Sequence, residues 1–352
     1  MPLQNIDRMI PCITDSKLQR LDALFRRARK VTVVSHVNPD GDAVGSSTAL
    51  VSYLREVHGK DVVCVLPGKP AASLLFIVPE DYPFIYAELS PSSASHRLRE
   101  SDLVILLDCN GFSRTDLLEP YLKASDADLV LIDHHLNPQE QEFGLVFSTP
   151  DISSASELLF WILRGLAGDA WSLPVVCRNA LCAGMTTDTN NFANSVFPST
   201  FAMASELIEA GTDRDAIIGH IYNEYRENRI RIMGYMQSQE MVLSPEGGAR
   251  MILTKEIQER FGYREGETEG LVNVPLAIGT VRLSVLLTEK PDCMRVSVRS
   301  KKGTSAQQIA VRYFNGGGHE NAAGGKLVFG KDIPDAGAAA EYVDSALKQF
   351  LG

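Results

Sequence analysis

The chain has 352 residues, of which 45% are hydrophobic and 22% charged, and its formal net charge is −10. This length predicts two domains, and the acidic balance argues against binding of long duplex nucleic acid, which requires many Lys and Arg residues. No apolar run approaches the ~20 residues that cross a bilayer. Residues 1–7 do not resemble a signal peptide, and the six cysteines form no C-x-x-C pair. We therefore expect a cytoplasmic protein with free thiols and no membrane partner.

Strand and helix patterns alternate through the first 210 residues. Strands are predicted at 31–36, 61–66, 103–108, 129–133 and 144–147. Helices are predicted at 20–28, 42–58, 175–183 and 198–210, and a capping box at 154–157 begins another. This alternation predicts a doubly wound, mainly parallel α/β sheet. The helix at 175–183 is expected to lead into a loop that carries Asp188.

A second pattern follows a polar, helical stretch. Strands are predicted at 251–254, 280–288 and 294–299, and helices at 309–314 and 335–350. We therefore expect a smaller α/β domain in the C-terminal part of the chain. The predicted organisation is a first domain over 1–212, a helical connector over 213–243 and a second domain over 244–352.

Carboxylate and imidazole side chains follow several predicted strands. They are His36, Asp40 and Asp42 after the first strand, Asp108 after a central strand, Asp133, His134 and His135 after the next, and Asp188 after a small-residue segment. The carboxyl ends of parallel strands share one crevice, so these side chains can meet. Carboxylates packed together repel one another unless cations neutralise them. The pattern predicts two divalent cations, and the mixed nitrogen and oxygen ligands favour Mn²⁺, with Mg²⁺ or Co²⁺ as alternatives.

Single members of this set have simpler interpretations. Asp42 directly precedes a helix and could be its N-cap, and Pro39-Asp40-Gly41-Asp42 could be a tight turn. Asp133 could cap the end of its strand. Two adjacent histidines after an aspartate are harder to explain in this way, because the chain has only seven histidines.

The same motifs resemble those of the DHH phosphoesterase superfamily, which is named for the triplet found here as Asp133-His134-His135. The resemblance covers almost the whole chain. His36-x-x-x-Asp40-x-Asp42, Leu107-Asp108-Cys109 and Thr187-Asp188-Thr189 are similar to the other motifs of its first domain, and Asn315-Gly316-Gly317-Gly318-His319 resembles the signature of the DHH-associated C-terminal domain. Asn190 and Asn191 depart from the glycine or serine that relatives often have there.

The resemblance implies a role for each matching residue. One Mn²⁺ would be held by His36, Asp40 and Asp108, and a second by Asp42, Asp108, His134 and Asp188. Asp108 would bridge the ions in an active site between the domains, and His135 would contact the scissile phosphate or assist the leaving group. For Asp133 we expect either a hydrogen bond that orients a ligand or the strand-end cap.

The second domain reverses the charge of the chain. Residues 291–330 contain six Lys and Arg residues against one Asp and one Glu. Arg295 and Arg299 are four apart and share one strand face, and the resemblance places a phosphate-binding arginine at Arg299. The amides of Gly316, Gly317 and Gly318 can approach a phosphate closely, with His319 as a further donor. A solvated strand face for Arg295 and a flexible glycine turn are the simpler alternatives.

Among related phosphoesterases, the chain is most similar to the group that trims very short oligonucleotides and dephosphorylates 3′,5′-bisphosphate nucleotides such as pAp. We expect the substrate to be a short single-stranded oligonucleotide or a nucleoside bisphosphate. The protein could form a homodimer. The alternatives are a cyclic or linear dinucleotide phosphodiesterase, an inorganic pyrophosphatase or exopolyphosphatase, and a non-enzymatic nucleotide-binding module. Phe192 and Tyr313 could stack on a base or belong to the core.

Overall fold

The structure is a computed structural model that describes residues 6–318 and 320–352, without the side chains of residues 7 and 8. Within those residues the chain divides into two compact units, with the division between Glu224 and Tyr225. This position lies inside the segment 213–243 that we predicted as a connector. His319, a predicted substrate contact, lies outside the described residues.

A parallel sheet forms the centre of the first unit. Its strands are β1 Lys30–Val34, β2 Asp61–Leu66, β3 Phe84–Tyr86, β4 Leu103–Leu107, β5 Asp128–Asp133 and β6 Leu145–Ser148. Among the described residues these strands have the order β3-β2-β1-β4-β5-β6, and every pairing is parallel. The α/β fold class is thereby confirmed. The strand order reverses direction between β1 and β4, which is where open α/β sheets form a ligand-binding crevice.

Helices cover both faces of this sheet. They are α1 Ile6–Met9, α2 Asp15–Arg27, α3 Gly41–Glu56, α4 Pro91–Glu100, α5 Glu119–Lys123, α6 Ala155–Ala167, α7 Val175–Asp188, α8 Pro198–Glu209 and α9 Arg214–Ile218. Ile105 packs with the cluster formed by α2, α3, α6 and α7, and Leu106 with the cluster formed by α4 and α5. Neighbouring strand residues thus face opposite helix layers, and every residue of β4 is buried.

Two features of the first unit differ from the expectation. Strand β3 and helix α4 were not predicted, because three prolines interrupt the pattern over 79–91 and β3 is a half-buried edge strand of three residues. Helix α7 continues to Asp188, so the expected loop around this residue is wrong. The last turn contains Thr186 and Thr187, which have low helix propensity, and its packing within the fold overrides that preference.

The second unit contains a mixed sheet. Its strands are β7 Val242–Leu243, β8 Gly248–Leu253, β9 Leu283–Glu289, β10 Cys293–Ser300, β11 Gly317–Gly318 and β12 Ala322–Val328, and its helices are α10 Glu227–Tyr235, α11 Lys255–Arg260, α12 Ala306–Tyr313 and α13 Ala339–Leu351. In the described part of this unit the strand order is β11-β12-β10-β9-β8-β7, with only β8 and β9 parallel. The predicted strand over 280–288 begins at Leu283, and the Gly- and Ala-rich β12 was not predicted.

Two global expectations can be compared with the structure. All six cysteines lie in described parts of the chain and are free, and four of them are buried. Across the described residues, none of the helices combines the length and apolar character that a bilayer-spanning segment needs.

Helices α3 and α7 approach each other backbone to backbone. A Cβ atom on Gly45 would lie 2.6 Å from the carbonyl oxygen of Ala180 and 2.8 Å from the Cα of Gly184. Glycine at position 45 is therefore required for this distance between the helices. This contact sets the distance between Asp42, in the first turn of α3, and Asp188, the last residue of α7. Both residues lie at the crevice.

Replacing Gly45 tests this packing. We expect Gly45→Ala to lower the free energy of unfolding of the first unit by about 1–3 kcal/mol, because the added methyl group meets backbone atoms that cannot rotate away. Thermal unfolding of the whole chain measures the effect. Gly234→Ala in α10 is the matched control, since no described atom outside the local helix lies within 4 Å of its added Cβ and alanine forms helices better than glycine. Equal midpoints for Gly45→Ala and wild type would contradict the packing argument.

Candidate metal centre

The predicted ligands sit at the carboxyl edge of the parallel sheet. His36 follows β1, Asp108 directly follows β4, and His134 directly follows β5. Asp40 is the N-cap of α3, and its Oδ1 accepts hydrogen bonds from the backbone N–H groups of Asp42 and Ala43. Asp42 lies in the first turn of α3, and Asp188 is the last residue of α7.

His36, Asp40 and Asp108 form one group of potential ligands, whose ligand atoms all lie within 4.8 Å of one another. The Nε2 atom of His36 is 3.4 Å from Asp108 Oδ2 and 3.9 Å from Asp40 Oδ1. Its Nδ1 atom is 2.8 Å from the carbonyl oxygen of Val37. Because a carbonyl only accepts, Nδ1 carries the proton and Nε2 is left as the metal-binding atom.

Asp42, His134 and Asp188 form a second group under the same criterion. The Nε2 atom of His134 is 4.0 Å from Asp42 Oδ2 and 3.8 Å from Asp188 Oδ2. It is also 3.3 Å from Asp108 Oδ1. The structure therefore brings all six predicted metal ligands into two adjoining groups, although they are distributed over more than 150 residues of chain.

Asp108 connects the two groups through different oxygens. Oδ2 faces His36 and Oδ1 faces His134. The residue is 2% exposed, and Oδ1 makes no hydrogen bond of good geometry with the described residues, although His134 Nε2 lies 3.3 Å away. A buried carboxylate oxygen without a hydrogen bond is costly in a dry protein interior. Two adjoining groups of imidazole and carboxylate donors, joined by the two oxygens of Asp108, fit a pair of divalent cations.

The backbone of Asp108 adopts a left-handed conformation, with φ of 54°. Aspartate and asparagine reach this region more readily than most residues, but it still carries strain. Such strain at a buried residue is characteristic of functional sites.

Asp42 is held by a helix that is distant in sequence. Its Oδ2 accepts a hydrogen bond of 2.6 Å from the Ala155 N–H, and its Oδ1 one of 2.8 Å from the Ser156 N–H. These amides belong to the first turn of α6, where unpaired N–H groups and the helix dipole favour an anion. The suggestion that Asp42 is the N-cap of the helix it precedes is wrong, because Asp40 occupies that position. The capping box at 154–157 marked the start of α6 but gave no sign of this contact.

Asp133 is bound to the ring of His135. Its Oδ1 is 2.8 Å from His135 Nδ1, and its Oδ2 accepts the backbone N–H of His135 at 3.1 Å. Asp133 is fully buried. Its carboxylate can accept the Nδ1 proton, so the pair fixes the orientation of the imidazole beside Asp108, whose Oδ1 is 3.6 Å from the same nitrogen.

The carboxylates shift the pKa values of the imidazoles. Burial opposes protonation of His36, but its contacts with Asp108 outweigh burial and raise its pKa to about 9. The pKa of His134 is likewise raised to about 10 by Asp108, against the effect of burial. Burial and the Asp108 charge raise the pKa of Asp42, whereas the two histidines hold that of Asp108 below its usual range despite burial. Without a cation, protons on the imidazoles of His36 and His134 compensate part of the negative charge of the carboxylates.

The predicted substrate contacts lie in the second unit. Residues 295, 297 and 299 alternate with buried residues along β10, so Arg295 and Arg299 share a face. Arg295 is paired with Glu265 at 2.7 Å, a partner that the sequence pattern did not indicate. The Gly316 backbone packs closely against the backbone of β12. A Cβ atom added at Gly316 would lie 1.8 Å from the Gly324 carbonyl oxygen. Gly317 and Gly318 pair with β12 and are exposed.

Two parts of the chain match known protein families, and most of its length is similar to known proteins. Residues 30–185 match the DHH family, N-terminal domain, and residues 251–348 match the DHHA1 domain. The chain is 30% identical over 298 residues to the bifunctional oligoribonuclease and PAP phosphatase NrnA of Bacillus subtilis, covering 83% of this chain and 87% of that protein. It is 29% identical over 313 residues to the NrnA of Thermus thermophilus, covering 87% and 86%.

One solved structure is similar over almost the full length. The crystal structure of an exopolyphosphatase-related protein from Bacteroides fragilis has a TM-score of 0.88 and 33% sequence identity, and the match covers 96% of this chain and 97% of that one. This likeness extends through both units of the chain.

The raised histidine pKa values predict that metal binding releases protons. His36 and His134, with pKa values of about 9 and about 10, are protonated at pH 7 without a metal, and only neutral imidazole binds a cation. Mn²⁺ affinity should therefore rise with pH from neutral pH until the pH passes the histidine pKa values of about 9 and about 10. Titration calorimetry at pH 7 in buffers of different ionisation enthalpy should show release of at least one proton per protein. Binding without proton release would contradict this protonation state.

Asp108→Asn tests the bridging position. Asparagine tolerates the left-handed backbone of this position, so the variant removes the charge with little change of shape. Elemental analysis after dialysis against Mn²⁺ should show loss of both ions, and activity should fall by more than the ~10–100-fold that loss of an outer-shell partner costs. Circular dichroism checks that the fold is kept. A variant that retains two ions would rule out the bridge.

Proposed function

Because this chain belongs to the DHH family of phosphoesterases, with a DHHA1 domain after the DHH domain, we propose that it hydrolyses short oligoribonucleotides and pAp with two divalent cations. The enzyme is a metal-dependent hydrolase of phosphodiester and phosphomonoester bonds. The finer choice of substrate is supported by the relatives from Bacillus subtilis and Thermus thermophilus, which are bifunctional oligoribonucleases and PAP phosphatases.

The observation that carries the proposal is the double contact of Asp108. Its two oxygens face His36 and His134, which belong to separate ligand groups. We propose that His36, Asp40 and Asp108 hold one cation, and that a second is held by Asp42, Asp108, His134 and Asp188. Mixed nitrogen and oxygen ligands favour Mn²⁺ over Mg²⁺. Two such cations, when bound, supply an activated water and neutralise charge on a phosphoryl group.

The remaining residues of the centre position and protonate the reacting groups. Asp133 fixes the His135 ring through the Nδ1 contact, so His135 can contact the scissile phosphate or assist the leaving oxygen. The α6 amides hold Asp42 in place. A carboxylate fixed in this way keeps its ligand atoms in position without help from the substrate.

Phosphate groups away from the scissile bond need cationic and N–H donors. We assign this role to Arg299, Arg295, His319 and the amides of Gly316, Gly317 and Gly318. Arg299 is half-buried, and burial lowers its pKa, so a phosphate would compensate a partly desolvated guanidinium. Arg295 must break its ion pair with Glu265 before it can bind a substrate phosphate. It is therefore expected to bind phosphate more weakly than Arg299.

The predicted substrates are short because positive charge is local. The chain has a net charge of −10, so it does not attract the many phosphates of a long nucleic acid.

We propose a domain arrangement of 1–212, 213–243 and 244–352. A cytoplasmic location fits the six free cysteines. A homodimer is compatible with these assignments.

A substrate panel tests the proposed function. With Mn²⁺, we expect pAp and di- to tetraribonucleotides to be hydrolysed faster than pyrophosphate, cyclic dinucleotides or long single-stranded RNA, measured as kcat/KM. Asp108→Asn, purified in the same way, is the control for contaminating nucleases. Faster turnover of pyrophosphate or of a cyclic dinucleotide would overturn the substrate assignment.

A further inference from the structure

The segment after Asp188 holds an aromatic side chain in an unusual backbone conformation. Asn190, Asn191 and Phe192 have φ values of 46°, 56° and 67°. Asparagine enters the left-handed region readily, whereas a bulky residue such as phenylalanine does so rarely. Hydrogen bonds fix the segment, because the Phe192 N–H donates to Thr189 Oγ1 at 3.1 Å and the Asn191 N–H donates to the Thr186 carbonyl at 2.8 Å.

Phe192 forms a layered contact with Phe201. Their rings are 5.4 Å apart between centroids and nearly parallel, at 13°. Phe192 packs partly against the core, whereas Phe201 in α8 is 55% exposed. Arg214 lies over the Phe192 ring at 5.7 Å, and its Nη2 donates to Asn191 Oδ1 at 2.5 Å. The result is an exposed aromatic ring, Phe201, that stacks on a second ring, Phe192, which in turn contacts the cation of Arg214.

This aromatic pair is connected to the metal centre by the chain on one side and by a hydrogen bond on the other. Phe192 follows Asp188 by four residues. On the other side, the hydroxyl of Thr200, which precedes Phe201, donates to Glu157 Oε2 at 2.7 Å. Glu157 lies in the first turn of α6, the turn whose amides bind Asp42. The position of Phe201 relative to the metal ligands is thus set by buried hydrogen bonds.

We propose that Phe201, backed by Phe192, is a stacking surface for a nucleobase of the substrate whose phosphate is bound at the metal centre. The inference rests on the proposed function and adds a base-binding subsite to it. Every nucleobase has a flat π face, so a ring of this kind binds bases with little sequence preference. Arg214 contacts the Phe192 ring by a cation–π interaction and so helps to hold the second ring of the pair in place.

The test compares substrates with and without a base. The variants are Phe201→Leu, which keeps an apolar side chain, and Phe201→Tyr, which keeps the ring. For Phe201→Leu, the kcat/KM ratio of a diribonucleotide to the matching abasic sugar–phosphate dimer, which has no aromatic group, should fall about tenfold, the size expected for loss of one base stack. For Phe201→Tyr the ratio should stay within about twofold of wild type. An unchanged ratio for Phe201→Leu would overturn the subsite.

Binding measurements separate this inference from the proposed function. Wild-type protein with Mn²⁺ should bind AMP more tightly than ribose 5-phosphate, and Phe201→Leu should remove that preference, whether or not oligonucleotides are cleaved. No preference in wild type would overturn the subsite even if the substrate panel succeeds.

Ile208 provides the matched surface control. It lies seven residues after Phe201 on α8 and is 51% exposed, so Ile208→Ala should leave the substrate ratio unchanged. The masses of Phe201→Leu and Ile208→Ala, measured by analytical ultracentrifugation, test the alternative that this face of α8 binds a second copy of the chain. A fall in mass for Phe201→Leu, with equal loss on both substrates, would assign Phe201 to a protein contact and overturn the proposal.

Discussion

The structure of the first unit depends on compensation of negative charge around Asp108. This carboxylate is buried at the switch point of the sheet, and its two oxygens face two imidazoles. Further aspartates surround it, and burial raises the pKa of Asp42. Carboxylates in such proximity are stable only with protons or cations between them. In the absence of a metal, the protons that His36 and His134 carry supply the positive charge that a bound cation would supply.

The same constraint explains several features of the fold. Gly45 allows α3 and α7 to approach closely, which brings Asp42 near Asp188. The first turn of α6 then supplies two N–H groups to Asp42, so the helix end compensates part of a buried charge. Packing and electrostatics are therefore linked, because a shift of one helix would remove both the close backbone contact and the hydrogen bonds that position a ligand.

The two units differ in the chemistry they offer. The first provides oxygen and nitrogen ligands and the Phe192–Phe201 pair, and the second provides arginines on one face of β10. Arg295 pairs with Glu265 at 2.7 Å, so part of the positive charge on this face of β10 is already neutralised within the second unit.

The sequence alone determined the α/β class and the grouping of the predicted ligands, because apolar runs report burial and parallel strands place their carboxyl ends at one edge. It did not indicate β3 or β12, which are too short or too rich in glycine and alanine to show an apolar pattern. Only the tertiary structure decided that the α6 amides bind Asp42, that α7 continues to Asp188, and that Phe192 stacks on Phe201. These features arise between residues far apart in the chain or from local strain, and periodicity carries information about neither.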